Sequence, residues 1–394
     1  MTVALDNVTV LDLTGAFWSQ AATAMLADFG ADVVRLEQIG AERARPDDGD
    51  WNYTDEFTNR NKKSVAVDLT ADRGAELARG LAAKVDVIVT DRSLDDLKAL
   101  GLDYETVSAS KPDVIYARGS GFGPQGPDAD LPAIDELAAA RTGMMPILPQ
   151  PGQPPLYAGH GQMYTSVMLG FGIAVALFHR RRTGEGQQID TSLLAGNMYG
   201  ASLDLQAYLA IGGERLLEPV SRLDAGNPMS GVLYPSADGL WIALTMPDTD
   251  RWWPALAEVT GIDVADPRFD THDKRCGEHR LELLQALDEV FKKHPAAHWR
   301  TLFTEGQMSA DVIEDYSYPT NDQAALDNRY ILEVDNAEAG RVKTLGFPLW
   351  MTETPAELRS GAPRVGEHSQ AVLRELAGLS DDEIDGLRKQ GVVA

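Results

Sequence analysis

The chain carries one cysteine, Cys276, in 394 residues. A single thiol excludes an intrachain disulfide and a thiolate zinc cluster, and such sparing use points to a reducing compartment. Basic residues are also scarce: 35 Lys and Arg stand against 60 Asp and Glu, a formal net charge of −25. Neutralising a nucleic-acid backbone needs a surplus of Lys and Arg somewhere on the surface, so nucleic acid is not an expected partner. An anionic small ligand would require a local basic patch. Long apolar runs are missing too. The longest, Val167 to Phe178, is well short of the roughly 20 residues that cross a bilayer. The opening MTVALDNVTVLDLT has no basic stretch leading into an apolar one, so no signal peptide is expected. Neither membrane nor export is expected, and the cytoplasm is the default.

What remains is the profile of a packed globular protein, 44% hydrophobic and 24% charged. The length exceeds one ordinary core and suggests two domains or one large α/β unit. Val8 to Thr14 reads as a strand, Ala21 to Phe29 as a helix closed by Gly30, and Asp32 to Glu37 as a second strand, together a βαβ unit. A second round follows in Ser64–Leu69, Asp72–Lys84 and Val85–Thr90, with one more strand at Asp113–Ala117. This alternation predicts an α/β fold with a parallel sheet. Met163 to Arg182 reads as a long apolar helix ending in Arg180, Arg181 and Arg182 ahead of a Thr-Gly-Glu-Gly turn. After about Leu223 the texture changes, and VLYPSADGLWIALTM predicts a hairpin across Ala237-Asp238-Gly239. The expected organisation is a large α/β domain over residues 1–222, a smaller α+β domain over 223–332, and a C-terminal segment, 333–394, returning to the large one. Ser380 to Glu383 is a capping box opening the last helix.

Generic motifs add little. Gly119-Ser120-Gly121-Phe122-Gly123 follows a strand, but it lacks G-x-G-x-x-G spacing, and Pro124 and Pro127 interrupt the place of a phosphate-binding helix. It is read as a structural turn. The seven histidines form no H-E-x-x-H, and His294 with His298 lacks a third ligand, so no metal is expected. His160 lies between Gly159 and Gly161, where backbone and ligand can approach closely, and both an ordinary loop role and a catalytic one stay open.

Several stretches in order carry a specific resemblance: VTVLDLT with MLADFGADVVRLE, NRNKKSVAVDL, GLDYETVSASKPDVIYARGSGFGPQGP, ALFHRRRTGEGQQIDTSL, DPRFDT and GAPRVGEHSQAVLRELAGLS. Together they span nearly the whole chain and resemble the class III CoA-transferase family (CaiB/BaiF type), which includes formyl-CoA transferases, carnitine CoA-transferases and α-methylacyl-CoA racemases. LPAIDELAAARTG is similar to the branch acting on 2-hydroxyacyl and arylacyl substrates. The resemblance implies a Rossmann-like large domain with a smaller one, and two chains threaded through each other as an interlocked dimer. It implies coenzyme A as a substrate with no covalently bound cofactor, an acyl-CoA donor, and a small carboxylic acid as acceptor. It also implies covalent catalysis by an aspartate in a G-D-x-x-x-G segment.

Counting back from Thr183-Gly184-Glu185-Gly186 places Gln162 at that aspartate. A carboxamide cannot form the acyl anhydride. Asp135 and Glu136 are the only acidic residues close by in sequence, and no Asp or Glu lies between Glu136 and Glu185. Asp135 is the candidate substitute nucleophile or, alternatively, an acid favoured by a helix N-terminus. Ile134 stands where the racemases have a catalytic histidine, and Ser19-Gln20 replaces the usual Gly-Pro. Gln38, Thr70 and Ala99 occupy positions where family members often grip CoA phosphates with basic residues. Arg43, Arg45, Arg92 and Lys98 could supply those contacts or be solvated surface charge. Three functions follow: an acyl-CoA transferase with a replacement carboxylate, a non-catalytic subunit paired with an active paralogue in a heteromer, or isomerase, lyase or racemase-like chemistry using His160 and Asp135.

Overall fold

The computed structural model describes residues 3–40, 51–212, 218–336 and 339–394. In chain order the first elements are β1 (Thr9–Leu13), α1 (Phe17–Asp28), β2 (Asp32–Gln38), α2 (Tyr53–Asn59), β3 (Lys63–Val67), α3 (Asp72–Ala82) and β4 (Val87–Thr90). Next come α4 (Leu94–Leu100), α5 (Tyr104–Ser110), β5 (Ile115–Ser120), α6 (Asp135–Ala139), α7 (Met144–Ile147), α8 (Gly161–Thr183), β6 (Gln187–Ser192), α9 (Leu193–Gly200) and α10 (Ser202–Ile211). Beyond them lie β7 (Ser230–Pro235), β8 (Trp241–Thr245), α11 (Thr249–Thr260), α12 (Arg280–Phe291), α13 (Ala296–Glu305), β9 (Ala310–Ile313) and α14 (Gln323–Asp327). The chain ends with β10 (Ile331–Asn336), β11 (Gly340–Leu345), α15 (Ser369–Glu375) and α16 (Asp381–Lys389). Two compact units result: residues 1–145, 156–217 and 327–394 form one, and 146–155 with 218–326 form the other. The smaller unit thus changes over a few residues before positions 223 and 332 and also includes 146–155.

The large unit is built on a six-stranded parallel sheet in the order β3-β2-β1-β4-β5-β6, the order of a doubly wound dinucleotide-type fold. Apart from the edge strand β6, its strands are largely apolar on both faces, as a sheet covered by helices on both sides must be. Leu11, Leu13, Val34, Leu36, Val65 and Ile88 meet Leu77, Leu81, Val372, Leu373, Ile384 and Leu387 of α3, α15 and α16. Their immediate neighbours Val10, Val33, Val87 and Val89 point the other way, onto Trp18, Ala22 and Leu26 of α1 and Leu169, Ile173 and Ala176 of α8. The period of two along each strand thus makes two cores from one sheet. Val67 also bridges Val393, so the C-terminal segment is part of this unit. The capping box of α16 forms as read, with Ser380 and Glu383 bonded reciprocally.

Two features were not foreseen. β6 is an edge strand, QQIDTS, whose outer positions are polar and carry no apolar pattern. β10 and β11 pair as an antiparallel hairpin inside the segment read only as returning to the large domain. Helix α8 is 23 residues long and, by length and composition, apolar enough to cross a membrane. Its Thr165, Ser166, Leu169, Ile173 and Ala176 face is buried in the large unit, and the Ser166 hydroxyl donates to the Trp18 carbonyl.

The small unit has a three-stranded antiparallel sheet, β7-β8-β9, with the predicted hairpin joining β7 to β8. Its core is aromatic: the Phe291 and Trp299 rings meet edge to face at 4.9 Å, beside Tyr234 and Phe303. The Asp238 carboxylate of the hairpin turn accepts the Ala296 N–H at 3.1 Å and so caps α13, whose own N-cap residue, Pro295, cannot.

Candidate functional site

Rossmann-like folds place ligands outside the carboxyl ends of their strands, where the first βα turn presents free N–H groups to a phosphate. Here that turn is occupied by protein. The Asp91 carboxylate, just past β4, accepts the Gly15 N–H at 3.0 Å, the Ala16 N–H at 2.7 Å and the Ser19 hydroxyl at 2.5 Å. The N-cap residue of α1, Ala16, offers no side-chain acceptor, so Asp91 caps the helix from 75 residues away. The N–H groups a phosphate would use on that turn are therefore already taken by Asp91. Asp91→Ala is expected to destabilise the large unit by about 1–3 kcal/mol, the cost of leaving those donors without an acceptor. Loss of hydrogen-exchange protection at the first turn of α1 is the direct readout.

A second site forms where α8 begins. Asp135, the first residue of α6, is buried, with 4% of its surface exposed. Asn197 of α9 donates its Nδ2 to Asp135 Oδ1 at 2.7 Å and to the Leu193 carbonyl at 2.9 Å, while its Oδ1 accepts the His160 N–H at 3.2 Å. One side chain therefore ties α6, α8 and α9 together. Gly159 and Gly161 are required by close approach: a Cβ on Gly159 would lie 2.4 Å from Asp135 Oδ2, and one on Gly161 would lie 2.7 Å from Asp135 Oδ1 and 2.2 Å from Asn197 Nδ2. The carboxylate is thus seated against the bare backbone that starts α8.

Of the residues singled out from sequence, His160 and Gln162 belong to this helix start, and Asp135 is seated against the glycines that flank His160. Gln162 is the second residue of α8 and is half-buried. His160 is the N-cap; its link to Asp135 runs through its main-chain N–H and Asn197, and its ring is exposed. Asn197, 62 positions from Asp135 in sequence, had no local motif to mark it.

The basic and polar candidates for CoA do not gather in the same way. Gln38 ties the end of β2 to the turn after β3, donating Nε2 to Asp68 Oδ1 at 3.0 Å and accepting the Leu69 N–H at 2.8 Å. The Asp68 carboxyl is held below its usual range by the Thr70 hydroxyl and then by Gln38. Lys98 is exposed in the last turn of α4, where a cation complements the helix dipole. Arg43 and Arg45 lie outside the described residues. Arg92 lines a cavity of about 310 Å³ with Asp91, Arg118, Ser120, Gly121 and Pro132, at the carboxyl ends of β4 and β5. Arg118 had not been singled out, although a cation ending a buried strand was a visible signal.

Among the described residues no three His, Cys, Asp or Glu side chains stand together as metal ligands. The His294 and His298 rings, 4.2 Å apart, are exposed beside Trp299. Cys276 Sγ lies 3.8 Å from His272 Nδ1, and burial pushes its thiol above the ordinary range, away from a reactive thiolate.

Comparison with known proteins connects this geometry to a lineage. The chain is 26% identical to the cinnamoyl-CoA:phenyllactate CoA-transferase of Clostridium sporogenes, over 98% of this chain and 96% of that protein. It is 28% identical to the succinyl-CoA–D-citramalate CoA-transferase of Chloroflexus aurantiacus (99% and 98% covered) and 30% identical to the succinyl-CoA:mesaconate CoA-transferase of Haloarcula marismortui (94% and 96%). Among solved structures, a CaiB/BaiF family protein from Brucella suis superposes with a TM-score of 0.83 at 25% identity, covering 95% of this chain and all of that one. Rv3272 from Mycobacterium tuberculosis superposes with a TM-score of 0.78 at 25% identity, covering 94% and 98%. The model of CoA-transferase family III matches residues 5–369, and with both fold and sequence following it along nearly the whole chain, the protein belongs to that family.

Proposed function

We propose that the protein handles acyl-CoA thioesters with Asp135 supplying the carboxylate that Gln162 lacks. The observation that carries this reading is the seating of Asp135 against Gly159 and Gly161 at the start of α8, the helix whose second residue is Gln162. Asn197 holds Oδ1 and leaves Oδ2 as the attacking atom. Oδ2 adds to the thioester carbonyl, the C–S bond breaks, and CoA leaves as thiolate, giving a mixed anhydride. The thiolate then attacks the aspartyl carbonyl, releasing the donor acid and leaving an aspartyl thioester. A small acceptor carboxylate attacks that thioester in turn, its C–S bond breaks, and CoA thiolate leaves as the second anhydride forms. CoA thiolate adds to its acceptor carbonyl, releasing acceptor-CoA and the free aspartate. The Gln162 amide donates a hydrogen bond to the oxyanion.

Hydroxylamine trapping during incubation with succinyl-CoA, followed by peptide mapping, tests the covalent route. The expected result is a hydroxamate at Asp135; turnover without any adduct sinks the route. Calorimetric titration with CoA separately tests binding.

The burial of Asp135 favours a second reading, a subunit that binds acyl-CoA but is inactive alone. Activity appearing only on mixing with a family member that has the aspartate would establish it, and turnover by the pure protein would exclude it.

Either reading involves association. Helix α8 is apolar all round: besides its buried face it exposes Val167, Phe171, Val175 and Phe178, and α9 and α10 continue the patch with Tyr199, Leu203 and Ile211. A helix apolar on every side belongs in an interior. We assign the exposed side to a second family chain, in a homodimer or a heteromer, of the interlocked kind that the family resemblance implies.

A further inference from the structure

Gln162 is half-buried and its carboxamide makes no hydrogen bond among the described residues, so the backbone that carries it decides where it lies. Two hydroxyls hold that backbone from the buried face of α8. Thr165 Oγ1 donates to the Ser192 carbonyl, at the junction of β6 and α9, at 3.2 Å. Ser166 Oγ, on the next residue, is within reach of two carbonyls, that of Trp18 in α1 and that of Gln162 at 2.9 Å. Both side chains are fully buried. Successive residues of a helix point about 100° apart, so the two ties reach different elements and fix the rotation of the first turn as well as its depth. On the α9 side there is no slack: a Cβ on Gly196 would lie 2.1 Å from Thr165 Oγ1 and 2.7 Å from the Gly161 carbonyl oxygen. On the α1 side the tie is a single proton. A serine hydroxyl donates one hydrogen, so Ser166 bonds either Trp18 in the neighbouring helix or Gln162 in its own preceding turn, and the second kind of bond bends a helix.

We propose that Thr165 and Ser166 are positioning residues for the acyl-transfer step, setting through the first turn of α8 where the Gln162 carboxamide stands. A donor aimed at a developing oxyanion is effective only if it is already in place when the charge appears, and groups behind it must keep it there. With no partner on the carboxamide itself, that support comes from the two hydroxyls one turn below. Asp135 shares the same frame, because a Cβ on Gly161 would lie 2.7 Å from its Oδ1, and the first turn has no room to shift toward the carboxylate. As a role in catalysis the proposal rests on the acyl-CoA reading; as control of where Gln162 lies it does not.

The test compares the full-length protein with three variants: Thr165→Val keeps the shape and removes the hydroxyl, Thr165→Ser keeps the hydroxyl and loses the methyl group, and Ser166→Ala removes the second hydroxyl. In hydroxylamine trapping with succinyl-CoA, Thr165→Val and Ser166→Ala are expected to lower the maximal rate by about tenfold or more, while half-saturation by succinyl-CoA stays within about twofold and Thr165→Ser keeps most of the wild-type rate. The Gln162 side-chain amide resonance, identified by its loss in Gln162→Asp, is expected to move in the two hydroxyl-free variants and to hold its place in Thr165→Ser. A role in packing alone gives the reverse order, because a buried methyl group is lost in Thr165→Ser and kept in Thr165→Val. Unchanged trapping in both hydroxyl-free variants, or Thr165→Ser impaired as much as Thr165→Val, overturns the catalytic role. A wild type that gives no adduct removes the acyl-CoA reading, and the resonance alone then decides whether the hydroxyls place Gln162. A resonance unmoved in both hydroxyl-free variants overturns that placement, whatever becomes of the acyl-CoA reading.

Discussion

Replacing Lys62 by methionine is expected to cost the large unit about 3–5 kcal/mol, as breaking a buried ion pair from one side does. Lys62 and Asp12 are both fully buried, and Nζ donates to Asp12 Oδ2 at 2.8 Å, to the Gln20 carbonyl at 3.0 Å and to Asn59 Oδ1 at 3.0 Å. Asp12 also accepts the Thr14 N–H at 2.9 Å and the Thr23 hydroxyl at 2.7 Å. The cluster joins β1 and α1 to the end of α2 and the residue that leads into β3. Burial, and the nearby Arg35, push the Lys62 ammonium down to about 8 in spite of the Asp12 attraction. Burial alone would raise Asp12, but Lys62 and Arg35 more than offset it and hold it ionised. Removing one partner strands the other's charge, whereas removing both does not. Hence Lys62→Met combined with Asp12→Asn, which keeps an acceptor for Thr14 and removes the stranded charge, is expected to regain most of the loss. Native-state hydrogen exchange at β1 to β3 amides measures both, since a chain of two units need not unfold in a single step. A single variant within about 1 kcal/mol of wild type would show that the lysine is dispensable.

The same sheet shows what a sequence discloses and what it hides. Strands β1 to β5 were legible because each is apolar over successive residues and bounded by a helix with its own apolar stripe. The hairpin at Ala237-Asp238-Gly239 and the Ser380 capping box were legible because their chemistry is local. Strand β6 was not, because an edge strand needs apolar residues on one side only, and QQIDTS alternates polar residues with Ile189 and Thr191. The site divides likewise. Asp135, His160 and Gln162 could be singled out from motif position, and Arg92 from its charge. The Asn197 link and the Asp91 cap are made by contacts across tens of residues, and no spacing rule reaches that far. The glycines were half legible: Gly159 and Gly161 marked a close approach, but that the approaching group is Asp135 is a tertiary fact. Gln38 illustrates the converse, since a position read for its bearing on CoA turns out to have a structural bond to make with Asp68.

Gln162→Asp is expected to raise CoA-transferase turnover by about 100-fold or more, equivalent to roughly 2.7 kcal/mol of barrier. The substitution returns a carboxylate to the second residue of α8, where the N-cap His160 supplies no side-chain acceptor and the first N–H groups of a 23-residue helix are available. A negative charge there is worth about 0.3–1 kcal/mol of stability, so a loss of fold is not the expected outcome. Asp135 acts in the opposite sense: a second carboxylate at the same helix start raises the pKa of the new one, and the rate should climb with pH through that titration. Combining it with Asp135→Asn separates the roles. If Asp135 is the wild-type nucleophile, Asp135→Asn alone abolishes the hydroxylamine adduct, whereas Gln162→Asp with Asp135→Asn retains one, now at residue 162. If Asp135 only positions the start of α8 through Asn197, the wild type gives no adduct, and the single Gln162→Asp gives one that weakens when Asp135 is replaced. A Gln162→Asp protein that keeps its fold and its CoA affinity yet gains neither turnover nor adduct would remove position 162 from the chemistry altogether. Catalysis, if the pure protein has any, would then have to run from Asp135 alone, a carboxylate that must be reached through the bare backbone of Gly159 and Gly161.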